Sequence, residues 1–462
     1  MRFQLTMRRL AIIAAAALIA ALYLADLGGM GLVSKDEPRY ADIGRAMART
    51  GDWITPRLWG QPWFEKPPLL YWLIALGFKA GLGPETAPRV PVALLSLGFL
   101  VFFWFRVRQL WDERTANYSA AILATSAGWV AIAHVAITDI PVAVFFNVAV
   151  LLFLSGKLKS PAAALGVAVL AKSLPPLVFF SPLLAMEWRR WREWLRPAPL
   201  LIFLAIALPW HVVTYLRNGY EFVRVLFIEQ QFGRFLTPER QHVQPWWFYL
   251  PVLLLFLFPW FPLLPASARV FGDRKIRMLG AMTAFGMVFL STALNKLPGY
   301  VLPLLPGLAI AMGAGMSNLA RPEGPDRGRY ECLSIALLGI LPAAAQVVPV
   351  ALGSRLSNAT LPWSVLGAGL CVSSVIAFGV RLARGRSFEI AFGLTCAMLI
   401  WFQFRAFPDI DRLASARNLW LREHPGCTST DDRGELYGLY YYAGGTLPPC
   451  GNLDPNPAAV VR

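Results

Sequence analysis

Apolar runs of fifteen to twenty residues recur along the whole sequence, each closed by charged residues, Pro or Gly. Inside the runs the apolar residues are continuous and do not alternate, which points to helices and away from a closed barrel. About thirteen membrane-crossing helices are expected, giving an all-α polytopic membrane protein. They fall near 9–27, 88–105, 116–135, 140–155, 161–171, 174–187, 197–215, 247–266, 278–294, 300–318, 332–350, 361–380 and 388–404. The runs 161–171 and 174–187 are short for a span and meet at Lys172 to Pro176. Short, Pro-interrupted helices are tolerated where they border a cavity instead of lipid. Between the first two spans, Pro38 to Arg49 places Tyr40, Ile43 and Met47 on one face. That spacing suits a short interfacial helix. The moderately apolar stretch 67–82 is expected to lie on the same outer surface.

Composition sharpens this picture. The 462 residues are 56% hydrophobic, with a mean hydropathy of +0.51, which excludes an ordinary soluble domain. The net charge of +16 would suit nucleic acid, but the cations sit in short clusters between apolar runs. Membrane topology explains them better, so no nucleic-acid partner is expected. Arg2, Arg8 and Arg9, then Arg106, Arg108 and Arg114, Lys157 and Lys159, Arg189 to Arg196, Arg269 to Arg277, Arg321 to Arg329 and Arg381 to Arg386 fall on one side. Roughly half of all Lys and Arg lie in these clusters, which orients the chain with that side in the cytoplasm. The basic N-terminus resembles the start of a signal peptide. No polar mature segment follows it, so the first run is expected to remain as an uncleaved helix. Residues 1–404 form the membrane unit, with an external loop over 28–87, and 405–462 a small appended domain outside. Cys427 and Cys450 in that tail are either a disulfide of an oxidising compartment or two free thiols. Cys332, Cys371 and Cys396 lie in apolar runs as packing residues, and no cysteine spacing suggests zinc.

The same topology gathers the remaining polar clusters on the outer face: 35–66, Thr138-Asp139, Lys172, 217–244 and Asn295 to Tyr300. The stretch 35–66 carries eleven charged residues in a chain that is 15% charged overall. Charge next to a span must lie in water or in a polar cavity. Asp36 and Glu37 suit either the first turn of a helix starting near Pro38 or a general base. Asp139 and Glu65 have helix-start explanations as well. Lys172 is harder to place as scaffold, because a cation between two short apolar helices needs an anionic partner, such as a lipid phosphate. Arg234, His242 and Lys296 are otherwise explained as headgroup anchors.

Seven motifs occur in order: DEPRYA from Asp36, GDWITPRL from Gly51, WFEKPPLLYW from Trp63, TDIP from Thr138, the Lys172 segment, FGRFLTPE…PWWFYLP from Phe232, and NKLPGYVLPLLP from Asn295. Together they resemble the lipid A aminoarabinose transferase-like family. That family belongs to the polyprenyl-phosphate-sugar glycosyltransferases of GT-C fold, which also include the protein O-mannosyltransferases. The match runs from about 30 to 310. The resemblance implies an enzyme of the bacterial inner membrane, multi-pass and monomeric, with its active site facing the periplasm. It would move a sugar from an undecaprenyl phosphate to lipid A, another envelope glycan or a protein. By motif, Asp36 is the principal catalytic carboxylate and Asp139 a second one. Arg39, Lys66 and Lys172 bind the donor phosphate. Glu37, Glu65, Arg234, Lys296 and Tyr300 line or rim the cavity. No cofactor is required by the resemblance; a divalent metal ion is allowed for, held by Glu65 and His242. One departure is the KSLPP segment, where relatives commonly have Lys-Gly-Pro. A transporter or flippase of a lipid-linked sugar is the alternative, but neither repeated halves nor charges at mid-span are evident.

Overall fold

The computed structural model describes residues 2–194, 196–233, 243–319, 328–353, 359–382 and 387–450. Helices dominate, and their order follows the apolar runs. After α1 (Arg2–Leu24) and α2 (Asp36–Thr50) comes a two-residue hairpin of β1 (Arg57–Leu58) and β2 (Gln61–Pro62). Then follow α3 (Leu69–Lys79), α4 (Thr86–Leu110), α5 (Glu113–Ala124), α6 (Ala127–Ala133), α7 (Asp139–Leu154), α8 (Lys159–Lys172), α9 (Pro175–Met186) and α10 (Pro197–Asn218). The second half holds α11 (Tyr249–Phe256), α12 (Phe261–Val270), α13 (Arg274–Thr292), α14 (Pro298–Leu319), α15 (Gly328–Gly353), α16 (Trp363–Leu382) and α17 (Ser387–Ala414). Two short helices close the chain, α18 (Arg417–Glu423) and α19 (Arg433–Ala443).

Among the described residues, six helices are long and apolar enough to cross a membrane: α4, α10, α14, α15, α16 and α17. The α11–α12 pair, bent by 103°, makes a seventh if it counts as one span. The expected thirteen positions all carry helix, but several are short or broken. The run 116–135 is two helices, because Thr125 and Ser126 turn their hydroxyls back onto the Ala121 and Ile122 carbonyls at 2.6 and 2.7 Å. Such back-bonding bends helices. The backbone freed there is satisfied by the other broken segment. Ala127 N donates to the Phe258 carbonyl at 2.8 Å, and Trp260 Nε1 donates to Thr125 Oγ1 at 2.8 Å. Each break therefore completes the other, which is the condition for non-helical backbone at membrane depth.

α14 is the hub of the bundle, with 83% of its apolar window buried, whereas α16 has 11%. Small residues let α14 approach its neighbours: a Cβ on Gly313 would meet Ser119 on α5. α16 instead turns Val372, Val375 and Phe378 outward, as a lipid-facing helix does. The chain is thus an integral membrane protein.

α2 forms where the spacing predicts it. Tyr40, Ile43 and Met47 are buried, Pro38 falls in the first turn where its missing N–H costs nothing, and Gly51 at φ 73° ends the helix. It packs against α3 and against the C-terminal helices. α17 continues to Ala414, and beyond it α18 and α19 are tied down by a Cys427–Cys450 disulfide with Cα atoms 5.0 Å apart. Arg417 donates to the Gly28 and Gly29 carbonyls at 2.9 and 3.1 Å. Arg45 reaches the Tyr441 carbonyl at 2.9 Å, and Tyr442 Oη accepts from Leu32 N at 3.0 Å. The C-terminal segment thereby clamps the first loop.

Candidate active site

A cavity of about 350 Å³ opens between α7, α8, α9, α13 and the start of α14. Its polar end is built by Lys66, Asp139, Lys172, Gln230, Asn295 and Tyr300. Its remaining wall is apolar, with Phe146, Leu174, Val178, Phe179, Phe289 and Leu290. Four of the sequence-predicted residues, Lys66, Asp139, Lys172 and Tyr300, therefore converge on one space.

Each is placed by a helix end or a turn. Lys172 closes α8, where a cation suits the negative end of the helix dipole. Asp139 opens α7, where an anion suits the positive end, and its side chain turns into the cavity. Lys172 Nζ donates to Asp139 Oδ1 at 2.7 Å and lies 4.4 Å above the Tyr300 ring. Gly299 makes room for this pair, since a Cβ there would sit 2.8 Å from Asp139 Oδ1. Ser173 takes φ 61°, a left-handed conformation that glycine adopts without cost. That is the position where the KSLPP segment departs from Lys-Gly-Pro. Backbone strain of this kind persists where surrounding structure holds it. Lys66 is 8% exposed and donates to the Glu65 carbonyl at 3.1 Å.

Beside the cavity lies a second polar group, joined to it through Glu65-Lys66. Arg39 pairs with Asp36 and approaches Glu65 Oε2 at 3.5 Å. Its guanidinium stacks on Trp63 at 5.4 Å and on Tyr437 of α19 at 5.3 Å. Desolvation opposes the charge, but Tyr40, Asp36 and Glu65 outweigh it and hold the pKa above the ordinary arginine value. Asp36 is in the first turn of α2 with its side chain 27% exposed.

Glu37 requires a correction. It does not line the cavity; it is fully buried against a fully buried Arg89. Oε1 accepts from Arg89 Nε at 2.7 Å and from Ala136 N at 2.9 Å. Oε2 accepts from Arg89 Nη2 at 2.7 Å and from Val33 N at 2.8 Å. Arg89 also donates to the Leu27, Met30 and Gly31 carbonyls. One helix residue apart, Asp36 pairs with Arg39 at a partly exposed position outside the cavity lining, and Glu37 bolts the first loop to α4. Lys296 likewise braces backbone, donating to the carbonyls of Gln244 at 2.9 Å and of Ala293, next to the cavity-lining Asn295. Arg234 and His242 lie outside the described residues. Among the described residues no group of three or more His, Cys, Asp or Glu could hold a metal ion. Glu65 Oε2 lies 3.5 Å from the Arg39 guanidinium.

Sequence reasoning missed Arg89, Gln230 and Tyr437. Arg89 had a signal, as a lone cation at the head of an apolar span. Tyr437 sits just before the Tyr-rich Leu439 to Tyr442 stretch, but nothing local says what it would stack on.

Fold and site define a class: a multi-spanning membrane protein with lysines at the polar end of an otherwise apolar cavity, beside a carboxylate–guanidinium cluster. A model of the dolichyl-phosphate-mannose-protein mannosyltransferase family matches residues 65–215. The undecaprenyl phosphate-alpha-4-amino-4-deoxy-L-arabinose arabinosyl transferase of Edwardsiella ictaluri is 31% identical over 397 residues, covering 79% of this chain and 69% of that protein. Its counterpart from Pseudomonas savastanoi pv. phaseolicola is 35% identical, covering 72% and 64%. A further one from Pseudomonas fluorescens is 32% identical, covering 69% and 62%. The chain therefore spans less than two thirds of these two Pseudomonas relatives. The crystal structure of ArnT from Cupriavidus metallidurans bound to undecaprenyl phosphate shares the fold, with a TM-score of 0.76 over 96% of this chain and 86% of that one, at 23% identity. The chain belongs to the undecaprenyl phosphate-aminoarabinose arabinosyl transferase family.

Proposed function

We propose that this protein is a membrane glycosyltransferase. It moves a sugar from undecaprenyl phosphate to an acceptor at the periplasmic face of the bacterial inner membrane, the acceptor being lipid A or another envelope glycan. The observation that carries this reading is the cavity itself: Lys66 and Lys172 at one end, an apolar wall for a prenyl chain beyond them. Breaking the sugar–phosphate bond leaves an added negative charge on the lipid phosphate. Fixed cations in a partly dry site stabilise that charge as it develops. Asp139 holds Lys172 in place, and Arg39 supports the charge from the neighbouring cluster. Asp36 takes the proton of an acceptor hydroxyl, or orients an acceptor that is already ionised. The Cys427–Cys450 disulfide, on the segment that clamps the site, supports the oxidising side of the membrane for this face. The membrane unit runs to the end of α17 at Ala414, ten residues beyond the expected boundary at 404, and the segment after it is an appended C-terminal unit.

The test is purified protein in liposomes with an undecaprenyl-phosphate sugar labelled in the sugar, plus lipid A. The expected result is labelled lipid A with stoichiometric release of undecaprenyl phosphate. Movement of the intact donor between leaflets without release would overturn the reading in favour of a transporter.

A further inference from the structure

The face opposite the cavity carries a second concavity, of about 630 Å³. α13 fixes the separation. Its far end, at Leu290 and Ala293, lines the first cavity, and its 19 residues span roughly 28 Å back to Arg274. Arg269, near the end of α12, lies at that distal level.

α12, α15 and α16 form the walls, through Phe261 and Pro265, Leu333 and Leu337, and Leu370. α15 and α16 run antiparallel: Cys332 Sγ lies 3.2 Å from the Ala377 carbonyl, and Ser373 Oγ donates to the Ala336 carbonyl at 2.7 Å. From Tyr330 at the mouth to Leu337, the slot runs about 10 Å along α15 into apolar surroundings. Leu333, at 54% exposure, opens it sideways. The mouth is cationic. Arg329 Nη2 donates to Tyr330 Oη at 2.7 Å, and Arg269 Nη1 approaches the same oxygen at 3.4 Å. Among the described residues neither guanidinium pairs with a carboxylate. The antiparallel register also brings Arg381 to this end of α16.

We propose that this groove binds an anionic phospholipid of the leaflet opposite the sugar-transfer site. The shape asks for an acyl chain, and the two guanidiniums, sharing one neutral hydroxyl, ask for a phosphate without a compensating cation. A zwitterionic headgroup would bring its own ammonium to the same mouth, which lowers its affinity. A free phosphate would leave the apolar slot open to water.

The experiment is native mass spectrometry of the full chain in detergent, with phosphatidylglycerol and phosphatidylcholine in competition. The wild type is expected to retain phosphatidylglycerol on the order of tenfold over phosphatidylcholine, as two surface arginines supply. Arg269→Ala with Arg329→Ala is expected to lose that preference while keeping the wild-type melting transition, and Arg269→Lys with Arg329→Lys to keep it. Equal retention of both lipids by the wild type would overturn the proposal. So would an unchanged preference in the alanine variant, or a dimer that occludes the groove and excludes lipid.

Discussion

Asp36→Asn is expected to cut sugar transfer by at least about 100-fold while leaving the protein folded and inserted. The substitution keeps shape and removes only the charge. Asp36 is partly exposed at the first turn of α2, so little packing depends on it. Its loss leaves Arg39 with Glu65 as its carboxylate neighbour, at 3.5 Å, and with the Trp63 and Tyr437 rings still in place. The cation is therefore retained, and the defect falls on the step that needs a carboxylate on the acceptor side. Initial rates with a purified donor, together with a melting curve, read both halves of this expectation. Transfer at the wild-type rate would remove Asp36 from the mechanism.

Glu37→Gln, one residue on, is expected to fail in the opposite way: stability goes first. The carboxylate is fully buried and accepts four hydrogen bonds, two of them from Arg89. Removing one charge of a buried pair leaves the other uncompensated, which costs about 3–5 kcal/mol. Arg89 keeps its three carbonyl partners but loses its counter-charge. Thermal unfolding in detergent should show a large downward shift and poor yield. Replacing both partners together, Glu37→Leu with Arg89→Met, should recover part of the loss, because a matched apolar pair carries no stranded charge. The backbone N–H groups of Val33 and Ala136 would lack their acceptor, and the Leu27, Met30 and Gly31 carbonyls their donor, so recovery stays small. A Glu37→Gln protein with native stability and lost activity would mean that Glu37 acts in the chemistry after all.

These two carboxylates show where the sequence is legible and where it is not. Adjacent positions on a helix point about 100° apart, so a DE pair necessarily faces two environments. Which residue meets the core depends on where Arg89 arrives from α4, and no local pattern carries that. The helical class, the position of α2 and the placing of the polar clusters on one outer face were legible because they follow from apolar run length, 3.6-residue spacing and charge sidedness, whereas singling out Lys66, Asp139, Lys172 and Tyr300 within those clusters rested on the family resemblance. The break at Thr125-Ser126 was hidden, because an apolar run reads the same whether its hydroxyls back-bond or point away. The contacts of Lys296 were hidden for a similar reason. A lysine in a polar outer loop reads the same whether it rims a cavity, anchors to headgroups or, as here, holds backbone carbonyls. Tyr437 stacks on a residue almost four hundred positions away, an encounter set by how the C-terminal segment docks.

A single phosphate held between Lys66 and Lys172 is the core of the proposed function. Equilibrium binding of undecaprenyl phosphate to the wild type and to Lys66→Ala/Lys172→Ala tests it most directly. Removing two charge-assisted hydrogen bonds to the phosphate predicts affinity weakened by roughly 100-fold or more; Lys66→Ala alone, which leaves the Lys172–Asp139 pair intact, is expected to weaken it by about tenfold or more with the melting transition retained. Affinity unchanged within a factor of about three would contradict this and place the phosphate elsewhere.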